Sequence, residues 1–164
     1  MIRKLHHNAY RCRDSEETRR FYEDFLGLPL VHTIEIGRTK TGRETSALHT
    51  FYRLDDGSHL AFFETPDLPF EFKAQHDFDL HIALEVAPEA LQPMLAKGRG
   101  TRCPARGPSD HGMIDSIYFR DPNGYVIELC AKRADHDAQM DPATNDARAT
   151  LQRWSQAKSD KEHA

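Results

Sequence analysis

In the first half of the chain, hydrophobic and polar positions recur with two periods, one typical of a helix and one typical of a strand. Residues 14–28 carry apolar side chains at helical spacing, with Asp14 placed to cap the helix and Glu17 placed to complete a capping box. Gly27 fits the left-handed position that ends many helices. Runs typical of strands surround this helix, at residues 4–14, 30–36, 45–54 and 58–64. The first half therefore predicts one strand, one helix and three strands.

The second half repeats that order. A strand-like run at residues 79–86 precedes a short helix at 88–98, which Pro88 opens and Gly98 closes. Pro93 inside this helix predicts a kink or a break. Strand-like runs at 116–120 and 125–130 flank the turn "DPNG". The repeat predicts an α+β fold of two paired βαβββ modules that bury one joint core.

The boundaries follow from composition. We place the first module at residues 1–68 and the second at 76–132, with a proline-containing segment between them. Residues 133–164 form a polar C-terminal extension. This extension is either a terminal helix that packs through Leu151 and Trp154 or a frayed tail.

Charge and cysteine content exclude several classes of protein. The formal net charge of −4 shows no basic excess, so we expect no nucleic-acid partner. No apolar run is long enough to cross a bilayer, and the N-terminus has no apolar stretch typical of a secretory signal. Cys12, Cys103 and Cys130 are too few and too widely spaced for a zinc site or a disulfide framework. We expect free thiols, and a cytoplasmic protein.

Strand parity brings three polar side chains to open faces. In residues 79–86 the apolar side chains share one face, which leaves His81 on the other. In residues 125–130 the same alternation separates Glu128 from Ile127 and Leu129. His7 stands near the start of the first module, as His81 does in the second. Two imidazoles and one carboxylate are a usual ligand set for non-haem Fe(II). Taken singly, each histidine could be structural, and Glu128 could pair with an arginine.

The chain contains the segments "HHNAYRCRDSEETRRFYEDFLGLPL", "LHIALEV" and "YFRDPNGYVIEL". These segments resemble the vicinal oxygen chelate superfamily, which contains glyoxalases, bleomycin-resistance proteins, fosfomycin-resistance enzymes and type I extradiol dioxygenases. The resemblance implies that the paired modules form an open, cup-shaped mixed β-sheet around one divalent metal. It also implies that His7, His81 and Glu128 are the metal ligands. The spacing to "FYEDFLG" favours His7 over His6, and parity turns His6 away.

Residues 111–128 are similar to the signature of the extradiol dioxygenases, although Ser109 departs from it. This resemblance implies an Fe(II) enzyme, with Mn(II) as the alternative, that cleaves a catechol with O2. It assigns His59 as the acid/base residue, although the match there is one residue shorter. His111 and Tyr118 are then hydrogen-bond partners of substrate or oxygen. We expect a homodimer. In this superfamily the cup closes either within one chain or across two, and the sequence does not distinguish these arrangements.

Two other functions compete with this interpretation. A glyoxalase-type lyase or isomerase acting on an enediolate would use Glu64 as a fourth ligand, with Zn(II) or Ni(II). In a regular strand His59 and Glu64 point to opposite faces, so only one of them can face the cup. The apolar neighbours Leu60 and Phe62 favour His59. The third function is a metal-free small-molecule binder, as in the bleomycin-resistance proteins.

Overall fold

The computed structural model describes residues 1–101 and 103–162. In the first half, β1 (Tyr10–Arg11) precedes the helix α1 (Ser15–Arg19), which continues as a π-helical turn (Arg20–Phe25). Three strands follow: β2 (Leu30–Arg38), β3 (Glu44–Arg53) and β4 (His59–Glu64). The second half contains β5 (His81–Glu85), a 3₁₀ turn (Pro88–Ala90), α2 (Leu91–Arg99), β6 (Ala105–Asp110), β7 (Ile114–Arg120) and β8 (Val126–Lys132). The helices α3 (His136–Met140) and α4 (Ala147–Glu162) end the described chain.

Each half builds one four-stranded sheet, and the two sheets have equivalent topology. The strand orders are β1-β4-β3-β2 in the first sheet and β5-β8-β7-β6 in the second. The β1–β4 and β5–β8 pairs are parallel and the others are antiparallel. Both sheets are therefore mixed and open, which confirms the predicted α+β fold of two βαβββ modules.

The start of α1 follows the sequence prediction in part. Asp14 Oδ1 accepts a hydrogen bond from the Glu17 main-chain N–H at 2.7 Å, as expected of an N-cap. Glu17 does not complete a capping box, because its carboxylate pairs with Arg13. Instead, Glu64 from β4 accepts a hydrogen bond from the Ser15 N–H at 2.7 Å. Two carboxylates thus satisfy N–H groups that have no partner within the helix.

Both modules contribute to one core. Each sheet has a core face that packs on the helices and an open face that does not. The Tyr22 ring lies 4.7 Å, between centroids, from Phe62 in the first sheet, and Phe25 lies 5.3 Å from Phe119 in the second. The fully buried residues of this core include Tyr22, Tyr52, Phe62, Ile117, Phe119 and Ile127. The two modules therefore share their apolar interior, as the sequence predicted.

Three local predictions need correction. The strand-like run at residues 4–14 forms only the two residues of β1 and an isolated bridge between His7 and His59. Pro93 lies in the first turn of α2, where its missing N–H has no helical partner to lose, so it does not break the helix. Gly98 lies inside α2 rather than at its end. A Cβ at Gly98 would collide with the Phe119 ring, so glycine allows α2 to approach β7 closely.

The C-terminal extension contains a helix, but not one that packs through its large apolar side chains. Leu151 and Trp154 on α4 are each 66% exposed. Among the described residues, no helix is long and apolar enough to span a membrane. The three cysteines are free, as predicted.

A buried polar network joins the β7–β8 turn to α1. The Asp121 carboxylate accepts hydrogen bonds from Tyr22 Oη at 3.0 Å and from Asn123 Nδ2 at 3.0 Å. The Asn123 side-chain oxygen accepts from the Arg13 N–H at 2.8 Å. Asn123 is 1% exposed, so these groups have little water to replace a lost partner. The turn "DPNG" is thereby fixed against the first module.

We predict that Asn123→Ala lowers the free energy of unfolding by about 2–3 kcal/mol, because it leaves buried polar groups unpaired. Urea denaturation measures the change. The control Gln152→Ala removes an amide from an exposed position of α4 and should change stability by less than about 0.5 kcal/mol. Equal effects of the two substitutions would contradict the role of this network.

Candidate functional site

Strand register aligns several candidate residues across the open face of the second sheet. Arg106 on β6 is paired with Tyr118 on β7, and Tyr118 is paired with Glu128 on β8. Glu128 is paired in turn with Ala83 on β5. His81 lies on the same face of β5, because side chains two residues apart point the same way. This row places Glu128 at the centre of the face, as parity predicted.

Glu128 is a carboxylate with very little access to water. Glu128 is 4% exposed. Its Oε1 accepts hydrogen bonds from the Ser116 hydroxyl at 2.5 Å and from the Tyr118 hydroxyl at 3.3 Å. Its Oε2 lies 3.2 Å from His81 Nε2. A buried carboxylate needs a positive partner as well as hydrogen bonds. His81 lies next to Oε2, and this is the side of the carboxylate where a positive partner can bind.

The backbone fixes the orientation of the His81 ring. His81 Nδ1 lies 2.8 Å from the carbonyl oxygen of Asp77. A carbonyl only accepts hydrogen bonds, so Nδ1 carries a proton and Nε2 of the neutral ring presents a lone pair. That lone pair faces Glu128 Oε2, which is also electron-rich. A proton shared by the two atoms, or a metal cation bonded to both of them from one side, removes the repulsion, so the pair fits two ligands of a divalent metal with a carbonyl supporting the imidazole.

His111 and Tyr118 lie together at the edge of this pair. His111 Nε2 is 2.7 Å from the Tyr118 hydroxyl, which also reaches Glu128. Burial, and next the negative charge of Glu128, raise the pKa of Tyr118. The phenol therefore keeps its proton at neutral pH and is a hydrogen-bond donor. The structure thus brings four of the predicted site residues, His81, Glu128, His111 and Tyr118, into one contiguous group.

His7 lies in a separate cluster on the first sheet. The His7 ring is 5.0 Å from His6, 6.1 Å from His49 and 5.5 Å from Phe51, measured between centroids. Desolvation, and next the neighbouring imidazoles, lower the pKa of His7. A lower pKa favours the neutral ring, which is the form that binds metals.

His6 does not point away from His7. Their Nδ1 atoms are 2.8 Å apart, so the prediction that parity separates the two rings is wrong. The reason is that residues 6 and 7 lie before β1, outside a regular strand, where side chains need not alternate.

His59 and Glu64 take opposite faces of β4. His59 lies near Phe51, with ring centroids 6.2 Å apart, and its Nδ1 is 3.3 Å from the carbonyl oxygen of His6. Glu64 points to the other side, where it caps α1 through Ser15. This strand therefore has no bulge that would bring both side chains to one face.

The predicted ligands thus form two groups. His81 and Glu128 are adjacent on the second sheet, whereas His7 lies with the histidines of the first sheet. Within residues 1–101 and 103–162, no three His, Cys, Asp or Glu side chains are placed to hold a metal ion. Within its described residues, a single chain therefore brings two of the three predicted ligands together.

Sequence reasoning missed three residues that contact this group. Ser116 donates to Glu128, Asp77 orients His81 through its carbonyl, and the Arg106 guanidinium lies 4.0 Å from the centre of the Tyr118 ring. Parity could have found Ser116, two residues before Tyr118. Asp77 lies in a segment without regular structure, so no periodic pattern indicates it.

Several solved structures share this architecture. A glyoxylase/bleomycin resistance protein/dioxygenase domain from Frankia sp. EAN1pec matches with a TM-score of 0.65 and 15% identity, over 81% of this chain and 100% of that one. A glyoxalase/dioxygenase from Nostoc punctiforme gives 0.60 and 21%, over 80% and 92%. The fosfomycin resistance protein FosX from Listeria monocytogenes gives 0.62 and 17%, over 83% and 98%. At these identities the likeness concerns the fold.

Sequence comparison is more specific about the family. No curated protein matches the chain significantly. The family described as the Glyoxalase/Bleomycin resistance protein/Dioxygenase superfamily matches residues 4–129, which cover nearly all of both modules and include each predicted ligand. The chain therefore belongs to the glyoxalase/bleomycin resistance protein/dioxygenase superfamily.

Proposed function

We propose that the protein is an Fe(II)-dependent extradiol dioxygenase that cleaves a catechol-type aromatic diol with O2. The observation that carries the proposal is the contact between the His81–Glu128 pair and the His111–Tyr118 pair. The first pair offers a nitrogen and an oxygen ligand, and the second offers hydrogen-bond donors directly beside them. Metal binding and oxygen recognition are thus available on one face of one sheet.

The proposed metal ligands are His81, Glu128 and His7. Because His7 lies with the histidines of the first sheet, we propose that a second copy of the chain supplies it, in a homodimer with two equivalent sites. His59 lies on the same sheet as His7 and would enter the site from the same copy. Fe(II) is the proposed ion and Mn(II) the alternative, since this ligand set accepts both. A FosX from Listeria monocytogenes was solved with Mn(II).

The roles of the remaining residues follow from their hydrogen bonds. A bound Fe(II) supplies the positive charge that favours a deprotonated catechol and the electronic path between ring and O2. His59 Nε2 accepts the catechol proton and later returns it, since its Nδ1 is directed to the His6 carbonyl. Tyr118 and His111 are hydrogen-bond partners of an oxygen of the substrate or of O2; the single Tyr118 proton, which faces Glu128 in the structure, turns to that oxygen when substrate binds.

The position of Glu64 disfavours the glyoxalase-type alternative. A four-ligand lyase needs the Glu64 carboxylate on the open face, and this carboxylate caps α1 on the opposite face. A metal-free binder does not require the nitrogen and oxygen ligands that the His81–Glu128 pair places 3.2 Å apart.

Reconstituted anaerobically with Fe(II), the protein should convert a 3-substituted catechol and O2 into a yellow ring-opened product. Absorbance and oxygen uptake measure the reaction. The control is the same protein with Zn(II), which has no redox chemistry and should give no product. Failure across a broad catechol panel, together with isomerisation of a methylglyoxal–thiol adduct, would replace this proposal with the lyase.

Mixing two inactive variants tests where the ligands come from. His7→Ala and His81→Ala should each bind far less iron, since each lacks a ligand. Refolded together, they should form mixed dimers in which one site regains all three ligands. We expect up to one iron per mixed dimer, by elemental analysis.

The matched control is a mixture of His81→Ala with Glu128→Gln, which damages the same half of the site in both chains and should restore nothing. Glu64→Gln alone should retain iron, because Glu64 faces α1. Unchanged iron content in His81→Ala would contradict the ligand assignment. No recovery in the first mixture would place the three ligands within one chain.

His59→Ala should retain iron and lose turnover by a factor on the order of 10²–10⁴, the usual contribution of a positioned acid/base group. Steady-state kinetics and iron analysis of the same sample separate the two effects. The control His136→Ala removes an imidazole from α3, outside both sheets, and should behave like the wild type. Full activity of His59→Ala would remove its proposed role.

A further inference from the structure

Two guanidinium groups lie on the open face of the second sheet, and the proposed reaction uses neither. Arg106 is in register with Tyr118, and Arg120 is two residues beyond Tyr118 on β7. Both line a small cavity of about 150 Å³ together with Tyr118 and Asp77. These cations are therefore neighbours of Tyr118, which in turn contacts Glu128.

Their charges are only partly compensated. Arg106 forms an ion pair with Asp77, and Arg120 Nη2 lies 3.7 Å from the same carboxylate. Among the described residues that line the cavity, these two arginines and Asp77 carry the charges. The single carboxylate of Asp77 thus balances only one of the two guanidinium charges, which leaves a net positive charge beside the site.

Arg120 is occupied by the backbone, whereas Arg106 is not. Arg120 donates to the carbonyl oxygens of Gly124 at 2.7 Å and of Gln75 at 2.9 Å, so it fixes the segment that joins the two modules. The Arg106 side chain is 55% exposed, and its guanidinium carbon lies over the Tyr118 ring, 4.0 Å from its centre. The ring and the ion pair with Asp77 orient the guanidinium, and the N–H groups that do not face Asp77 are those that a further anion can reach.

The spacing suits a substituent on the aromatic ring. Arg106 is two strands from Glu128, with Tyr118 between them, which corresponds to roughly 10 Å. A catechol held at the His81–Glu128 pair would lie beside the Tyr118 hydroxyl, and a substituent next to its own hydroxyl groups would extend along this row toward the Arg106 guanidinium, which covers the Tyr118 ring. A planar guanidinium binds a carboxylate through two parallel hydrogen bonds.

We propose that Arg106 forms an anion-binding subsite and that the substrate is a catechol bearing a carboxylate group. The inference rests on the proposed function for the position of the ring. The Asp77 carboxylate holds Arg106 in place, and the Asp77 main-chain carbonyl orients His81. One residue thus positions both the subsite and a proposed metal ligand.

The test compares two catechols substituted next to a hydroxyl group, 2,3-dihydroxybenzoate with an anionic substituent and 3-methylcatechol with a neutral one. The wild-type protein should have the higher kcat/KM for the carboxylate. Arg106→Gln should lower the ratio of the two kcat/KM values by about 10- to 100-fold, the loss expected for one charge-assisted pair. Arg106→Lys keeps the charge without the planar fork and should give an intermediate ratio.

The control Arg153→Gln removes one positive charge and one surface ion pair from α4, and should leave the ratio unchanged. Calorimetry of the same two compounds under nitrogen gives a second readout that needs no turnover. It should show tighter binding of 2,3-dihydroxybenzoate, and Arg106→Gln should abolish the difference.

The outcomes separate this inference from the proposed function. Turnover of 3-methylcatechol without a preference for the carboxylate would overturn the subsite and leave the dioxygenase standing. Absence of turnover, with an Arg106-dependent preference in calorimetry, would support the subsite and reject the dioxygenase. An equal response of Arg106→Gln and Arg153→Gln would show a general effect of net charge and overturn the subsite.

Discussion

The buried carboxylate of Glu128 is the constraint on which the site depends. It lies on a central strand with 4% exposure, and hydroxyl groups alone do not compensate an ionised carboxylate removed from water. The carboxylate is contacted by Ser116, Tyr118 and His81, which lie on strands of the same sheet and not in a loop. Because the carbonyl of Asp77 orients His81, its Nε2 faces the carboxylate at 3.2 Å. A cation bonded to both atoms, as proposed, would therefore also stabilise this strand.

The fold of each module was accessible from the sequence because its signals are local. Alternation along β5 and β8 and the N-cap at Asp14 depend on neighbouring residues. Predictions failed where a contact between distant parts of the chain determines the local structure. Gly98 lies inside α2 because the helix must approach Phe119, and the first predicted strand shortens to β1 because only Tyr10–Arg11 finds full pairing on β4.

Sequence patterns predicted the part of the candidate site that lies on one sheet, but not the position of His7. Parity alone puts His81 and Glu128 on one face, and the structure places them 3.2 Å apart. The position of His7 depends on how two sheets are placed relative to each other, which no periodicity encodes. Contacts from irregular segments are equally invisible to sequence patterns. Asp77 is the example, since it connects Arg106 to His81 from a segment with no repeating pattern.

The most direct test of the account is an anomalous-difference map of iron-loaded crystals. We predict one iron peak at the open face of the second sheet, bonded to His81 Nε2, to the Glu128 carboxylate and to His7 of a second copy, with Glu64 still at the start of α1. A map with iron bound by other residues, or with no iron near the His81–Glu128 pair, would contradict the account.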